Sequence, residues 1–229
     1  KDRSLFLHEE VMLLALRNDK GTVAGGTMYP QAAGGAILAE LMLRSRVRTE
    51  AKGRSTYAVA IDPAPVGDAV LDECLARISS ARRRATLQTW VQRFAGTRQL
   101  KHRVAGGLAD KGVVRATEDK VLLIFTRRIY PELDPAVEAE VIARLDHAIF
   151  SEAKVVDPRT TVLLALAHHS GLLKVNFDKK RLKARKARIA AVIDGEAIGK
   201  ATKDAIEAIQ AAVMVAAVMP AVVAAASAH

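Results

Sequence analysis

Apolar residues recur at helical spacing along most of the chain. Leu5, Leu7, Val11, Leu14, Ala15 and Leu16 form a broad apolar face, which predicts an amphipathic first helix. Asn18-Asp19-Lys20-Gly21 should close it, because glycine is a favourable helix stop. A connector containing Gly25 and Gly26 leads to Pro30. Ala36, Ile37, Leu38, Leu41 and Leu43 then predict a second helix over residues 31–44. Gly34 and Gly35 near its start permit close approach of a neighbouring helix. Residues 47–61 read as extended segments around Lys52-Gly53-Arg54, a short hairpin fenced off by Pro63 and Pro65.

Helices follow over residues 68–80, 86–94 and 97–110, with Trp90 on an apolar side. Val113-Val114-Arg115-Ala116, a polar turn at Glu118-Asp119-Lys120, and the apolar run Val121, Leu122, Leu123, Ile124 and Phe125 predict strand, turn and strand. Asp134-Pro135 and Asp157-Pro158 each place an N-cap acceptor before a proline suited to a first helical turn. The second of these helices should span residues 160–173. Two more, over residues 179–192 and 200–219, complete the pattern. The sequence shows no internal repeat or long linker. The expectation is a mainly α fold: one helical domain over residues 1–229 around a central bundle, with one or two small β-hairpins and a loose tail from about residue 215.

Composition adds bounds. The 229 residues are 50% apolar, enough to bury a core. A single cysteine, Cys74, excludes an internal disulfide and a thiolate zinc cluster. Its helical surroundings mark it as a small core residue. The first ten residues lack the apolar core of a signal peptide. Residues 211–228 carry no charge but are alanine-rich and broken by Pro220, so they read as a packed helix and tail rather than a membrane anchor. A cytoplasmic setting is expected.

Charge changes the picture most. The formal net charge is +10. Arg77, Arg82, Arg83, Arg84, Arg93, Arg98, Lys101 and Arg103 fall in a stretch with no Asp or Glu. Such a stretch attracts anions: nucleic-acid phosphate, lipid headgroups or an acidic partner. The blander reading is a solvated basic face. Aromatics make up only 4%, which disfavours single-strand stacking platforms.

Candidate chemistry is sparse. His168 and His169 are adjacent and would point about 100° apart on a helix, so they do not form an i, i+4 metal pair. No HExxH, GxSxG or P-loop pattern occurs. Val23-Ala24-Gly25-Gly26 is the nearest thing to a phosphate loop, and any tight turn uses such glycines. Glu9 and Glu10 with Arg44 and Arg46 could be catalytic carboxylates with cations, but helix-end ion pairs account for them more simply. No nucleophile and base pair up. The expectation is a protein without catalytic residues, metal or cofactor.

LHEEVMLLALRNDKG, LAELMLRSRV, LADKGVV and LLALAHHSGLL occur in that order. They resemble the successive blocks of the Golgi phosphoprotein 3 family, and the arginine- and alanine-rich composition resembles a bacterial member. The resemblance implies a mostly helical fold around a central bundle. It implies a peripheral protein that binds phosphatidylinositol 4-phosphate through a basic pocket. In eukaryotic members a hydrophobic hairpin aids membrane insertion or self-association, and the protein adapts Golgi glycosyltransferases to coat vesicles.

Counted from LADKGVV, the family's two basic headgroup contacts fall on Arg98 and Lys101, and Arg103 occupies a further basic position. The predicted helix over residues 97–110 puts Arg98 and Lys101 on one face. Counted from LAELMLRSRV, the family's Trp and Arg contacts fall on Gly25 and Gly34, so both side chains are lost. The family hairpin falls on residues 117–128, which hold Val121, Leu122, Leu123, Ile124 and Phe125. The leading expectation is therefore a non-enzymatic module for anionic phospholipid headgroups at the inner face of a membrane, with self-association through the hairpin. Two alternatives stand beside it. The helix–helix–hairpin order also suits a winged-helix-like nucleic-acid binder, though an apolar wing tip suits DNA poorly. An acid-free surface also suits an adaptor for acidic protein tails.

Overall fold

Helix α1 (Leu7–Ala15) buries all nine of its residues. Its end differs from expectation. Leu16 turns to extended backbone, and β1 (Leu16–Arg17) pairs antiparallel with β2 (Thr22–Val23). Gly21 is thus not a helix stop. It adopts φ +56°, and a Cβ on it would stand 2.5 Å from the Pro131 nitrogen. The Tyr130 amide donates to its carbonyl at 2.7 Å. The computed structural model describes residues 4–17, 20–121 and 125–195.

Helix α2 (Tyr29–Leu43) opens with Pro30 in its first turn and is buried along nearly its whole length. The hairpin expected around Gly53 is present as β3 (Val47–Lys52) and β4 (Ser55–Ala60), paired from Val47↔Ala60 to Lys52↔Ser55. Helix α3 (Ala69–Ser79) starts at Asp68, whose carboxylate accepts from the Val70 and Leu71 amides. Strand β5 (Ala85–Thr86) joins β4 as the third strand of that sheet. Thr86 caps α4 (Leu87–Ala95), which buries Trp90 against the α2 side of the core. Cys74 is fully buried on α3, and burial raises its thiol to about 12.

After α5 (Leu100–Asp110) the chain forms a second hairpin, β6 (Thr117–Val121) and β7 (Phe125–Ile129). Its register runs from Thr117↔Ile129 to Val121↔Phe125. Glu118-Asp119-Lys120 therefore lies on a strand and is not the turn. The register sets Glu118 opposite Arg128, and opposite charges facing across strands favour that pairing. Of the apolar run, Val121 and Phe125 form the last described pair of the hairpin. Leu122, Leu123 and Ile124 lie outside the described residues.

Asp134 and Asp157 cap α6 (Pro135–Phe150) and α7 (Pro158–His169) through the Ala136 and Thr160 amides. Gly171, at φ +82°, ends the helix expected to reach residue 173. A short α8 (Leu173–Asn176) follows. The helix expected over residues 179–192 is divided into α9 (Lys179–Ala184) and α10 (Lys186–Ile193). Arg185, at the break, donates to the carbonyls of Ile149 and Ser151 at the end of α6. The expected helix over residues 200–219 and the tail lie outside the described residues.

The fold is mainly α, with small antiparallel sheets at its margin. Helices α1, α2 and α7 pack on one another at the centre. This explains why α2 and α7 are buried on nearly all sides rather than along one stripe. Among the described residues, no helix is long and apolar enough to cross a membrane.

Candidate functional site

The basic stretch is acid-free in sequence but not in space. Glu73 of α3 pairs with Arg103 at 2.6 Å, and the Arg103 guanidinium also donates to the Ala69 carbonyl. Glu50 of β3 pairs with both Arg84 and Arg48. Arg77 donates to the Thr97 hydroxyl at 3.1 Å and lies over Phe94. Arg93 stacks over Trp90, its guanidinium carbon 4.8 Å from the ring centre. Half of the run is thus engaged within the fold. Arg82 and Arg83 stay exposed beside it.

Arg98 and Lys101 do not share one helix. Helix α4 ends at Gly96, and Gln99 adopts a left-handed conformation with φ +54° at the head of α5. Arg98 therefore sits in the turn and Lys101 in the first turn of α5. The i, i+3 relation expected from a continuous helix is replaced by two cations flanking a left-handed residue. Arg98 is exposed and Lys101 half-buried. Neither forms an ion pair among the described residues.

Lys101 and Arg103 in the first turn of α5, with no acid there, oppose the helix dipole. The positive end of a helix favours anions. His102 lies between these cations. Its Nδ1 is 2.6 Å from the Tyr130 hydroxyl. Burial, then the charges of Lys101 and Arg128, push its pKa below the ordinary value. The Tyr130 contact brings the end of the second hairpin to α5, and Arg128, two residues earlier, is exposed. Sequence reading did not single out Arg128 as a site residue. Its place six residues before Asp134-Pro135 gave no signal, because only the contact of His102 with Tyr130 brings that end of the hairpin to α5.

The two family positions now occupied by glycine differ sharply. Gly25 is exposed, and a Cβ on it meets nothing within 4 Å. Gly34 is a packing residue between α2 and α4. A Cβ there would stand 2.5 Å from the Val91 carbonyl oxygen and 2.9 Å from the Ala95 nitrogen. An arginine side chain has no room at that place.

Arg103 also borders a cleft of about 920 Å³ lined by Glu9, Asp68, Asp110 and Lys111. Three carboxylates against two cations make this cleft a poor receptor for phosphate. The carboxylates expected at the start of α1 serve structure. Glu9 accepts from the Phe6 amide at 2.8 Å and pairs with Lys111 at 2.5 Å. Glu10 pairs with Arg144 at 2.5 Å and lies 3.5 Å from Arg159. Burial raises the Glu10 pKa although both arginines oppose it. The expected partners Arg44 and Arg46 are engaged elsewhere: Arg44 with Glu40 at 2.7 Å, and Arg46 with Asp62.

The Golgi phosphoprotein 3 family model matches residues 7–209. Among curated proteins, the chain is 29% identical over 164 residues to vacuolar protein sorting-associated protein 74 of Eremothecium gossypii. That alignment covers 63% of this chain and 49% of the relative. The chain thus spans about half the length of the curated relative it matches.

Proposed function

The chain belongs to the Golgi phosphoprotein 3 family, and from that premise we propose that it is a non-enzymatic peripheral module binding anionic phospholipid headgroups. Phosphatidylinositol 4-phosphate is the headgroup the family resemblance suggests. The observation that carries the reading is the two cations Arg98 and Lys101 at the head of α5, with Arg128 adding to the charge felt at His102. Lys101 opposes the dipole of α5, and no described carboxylate pairs with it or with Arg98. An unbalanced group of this kind costs stability in the free protein and is relieved by a bound anion. Arg103 adds long-range attraction while holding α3. Arg82 and Arg83 extend the field.

The hairpin supports a surface orientation. Strand β7 carries Arg127 and Arg128, and the sequence between the strands adds Leu122, Leu123 and Ile124 to Val121 and Phe125. Apolar residues beside cations suit an anionic membrane interface, or the same hairpin of a second copy. The proposed location is the cytoplasmic face of a membrane. Gly25 lacks the family's Trp and Gly34 its Arg. Losing one charge-assisted contact costs about 1.5–3 kcal/mol, so headgroup selection should be weaker than the family pattern implies.

Vesicle sedimentation tests the reading. Binding to vesicles containing phosphatidylinositol 4-phosphate or phosphatidylglycerol, but not to pure phosphatidylcholine, supports it. Equal binding to neutral and anionic vesicles at low salt contradicts it. Salt-sensitive nanomolar binding to DNA would favour the nucleic-acid reading instead.

A further inference from the structure

The segment from residue 174 to residue 188 holds Lys174, Lys179, Lys180, Arg181, Lys183, Arg185, Lys186 and Arg188 against a single acid, Asp178. The structure divides these cations by type. The arginines turn towards α6. Arg181 lies over the Phe150 ring and 3.6 Å from Asp146. Arg185 pairs with Glu152 at 2.8 Å. Arg188 donates to the carbonyls of Ala148 and Ala153. Together with the contacts of Arg185 to Ile149 and Ser151, they satisfy the end of α6, where backbone carbonyls need donors.

The lysines have no such duty. Lys179, Lys183 and Lys186 repeat at four- and three-residue spacing and, with Lys174 and His168, line a pocket of about 460 Å³. Leu173, Leu182 and Ile189 complete its wall, and Leu173 and Ile189 are buried. No carboxylate is among the lining residues. None of the four lysines forms an ion pair among the described residues. The convergence is close: Lys174 and Lys186 both act on His168, adding to the effect of burial and of His169 in lowering its pKa. Four ammonium groups around an apolar floor repel one another and gain nothing from the fold. A ligand with multiple negative charges and an apolar part would relieve the repulsion and cover the floor.

We propose that this pocket is a second anion site, separate from Arg98 and Lys101, which takes a phosphate monoester bearing a short apolar group. Lysine suits the role because its ammonium acts as a compact, movable charge on a phosphate. Leu173, Leu182 and Ile189 receive the apolar group. The source of the phosphate is either a lipid headgroup or a soluble compound.

Calorimetric titration of the full chain distinguishes these. The titrations use the Arg98→Gln/Lys101→Gln background, so the result does not depend on the lipid-binding reading above. Dihexanoyl phosphatidic acid should bind saturably. Lys183→Gln/Lys186→Gln should weaken it by about tenfold or more, as expected for two lost charge-assisted contacts. Leu182→Ala should weaken dihexanoyl phosphatidic acid while sparing inorganic pyrophosphate. Tighter binding of phosphatidic acid than of pyrophosphate and hexyl phosphate supports the site with lipid as its source. Binding of hexyl phosphate as tight as that of phosphatidic acid supports it with a soluble source, and pyrophosphate binding as tightly as phosphatidic acid contradicts it. Three further results overturn the proposal: no saturable binding of any of these compounds, unchanged affinity in the lysine double variant, or equal affinity for dihexanoyl phosphatidylcholine. The substituted lysines are exposed, so loss of folding is not the expected cause of lost binding; circular dichroism of each variant checks this.

Discussion

Gly34 of α2 stands so close to Val91 of α4 that a Cβ on it would lie 2.5 Å from the Val91 carbonyl oxygen. The contact is with backbone, which a side-chain rotation cannot relieve. Helices α2 and α4 are therefore pressed together at a residue that must lack a side chain. The position onto which the family resemblance maps an arginine is here part of the core.

Gly34→Ala should consequently lower stability by about 1–3 kcal/mol, the usual cost of overpacking, and Gly34→Arg by more. Gly25→Ala, in open space, should change it by about 0.5 kcal/mol or less. Urea unfolding of the three variants measures this. A Gly34→Arg protein as stable as the parent would show that α2 and α4 are not so closely packed.

Much of this was legible in the sequence. The Asp-Pro pairs, the hairpin at Gly53 and the apolar periodicity of α1 to α4 report local chemistry, and the structure has those elements. The errors arose where distant parts of the chain decide. Gly21 reads as a helix stop by itself, but Tyr130 and Pro131 make it a hairpin corner. The polar triplet Glu118-Asp119-Lys120 reads as a turn until the strand register pairs it with Arg128, Arg127 and Thr126. The resemblance points to Arg98 and Lys101, but it gives no sign of the left-handed Gln99 between them. The neutralisation of Arg103 by Glu73 and of Arg84 by Glu50 depends on the packing of α3, α5 and the sheet, which charge counting along the chain does not reveal.

Glu40 of α2 is the centre of a buried ion network. It accepts from the Leu7 amide at 2.8 Å, from Arg44 at 2.7 Å and from Arg159 at 2.9 Å. Glu40→Ala leaves the Leu7 amide without its acceptor and the partly buried Arg159 without a principal partner. The expected loss is about 3–5 kcal/mol, read as a lowered denaturant midpoint. A shift no larger than that of a surface substitution would remove Glu40 from the structural account.

Arg103 and Lys101 should separate by phenotype. Arg103→Gln breaks a partly exposed pair with Glu73 and should cost about 0–1 kcal/mol of stability, with a small effect on vesicle binding. Lys101→Gln should raise stability slightly, by about 0.3–1 kcal/mol, because it removes a cation opposing the α5 dipole, and should weaken binding by about 1 kcal/mol, the usual contribution of one basic residue near an anionic surface. Thermal melts and vesicle sedimentation on the same samples compare them. The reverse pattern would move the site from the turn before α5 to its α3 side.

His102 should make both stability and binding depend on pH. Its folded pKa lies below the ordinary 6.5, through burial first and then Lys101 and Arg128. The unfolded chain therefore takes up the proton first. The contribution of His102 to stability is complete above 6.5, declines as pH falls towards the folded value, and levels off beneath it. A bound phosphate should favour the imidazolium, raise the pKa and strengthen binding on acidification. An NMR titration of the His102 ring with and without a short-chain phosphatidylinositol 4-phosphate reads this directly. A pKa unmoved or lowered by the lipid would place the headgroup away from His102.

The central claim is that Arg98 and Lys101 receive an anionic headgroup, and sedimentation of parent and Arg98→Gln/Lys101→Gln proteins with vesicles of graded phosphatidylinositol 4-phosphate content tests it most directly. The account predicts binding that rises with anionic lipid in the parent and falls by about thirtyfold in the double variant, from about 1 kcal/mol per residue. Overlapping binding curves for two equally folded proteins would contradict it.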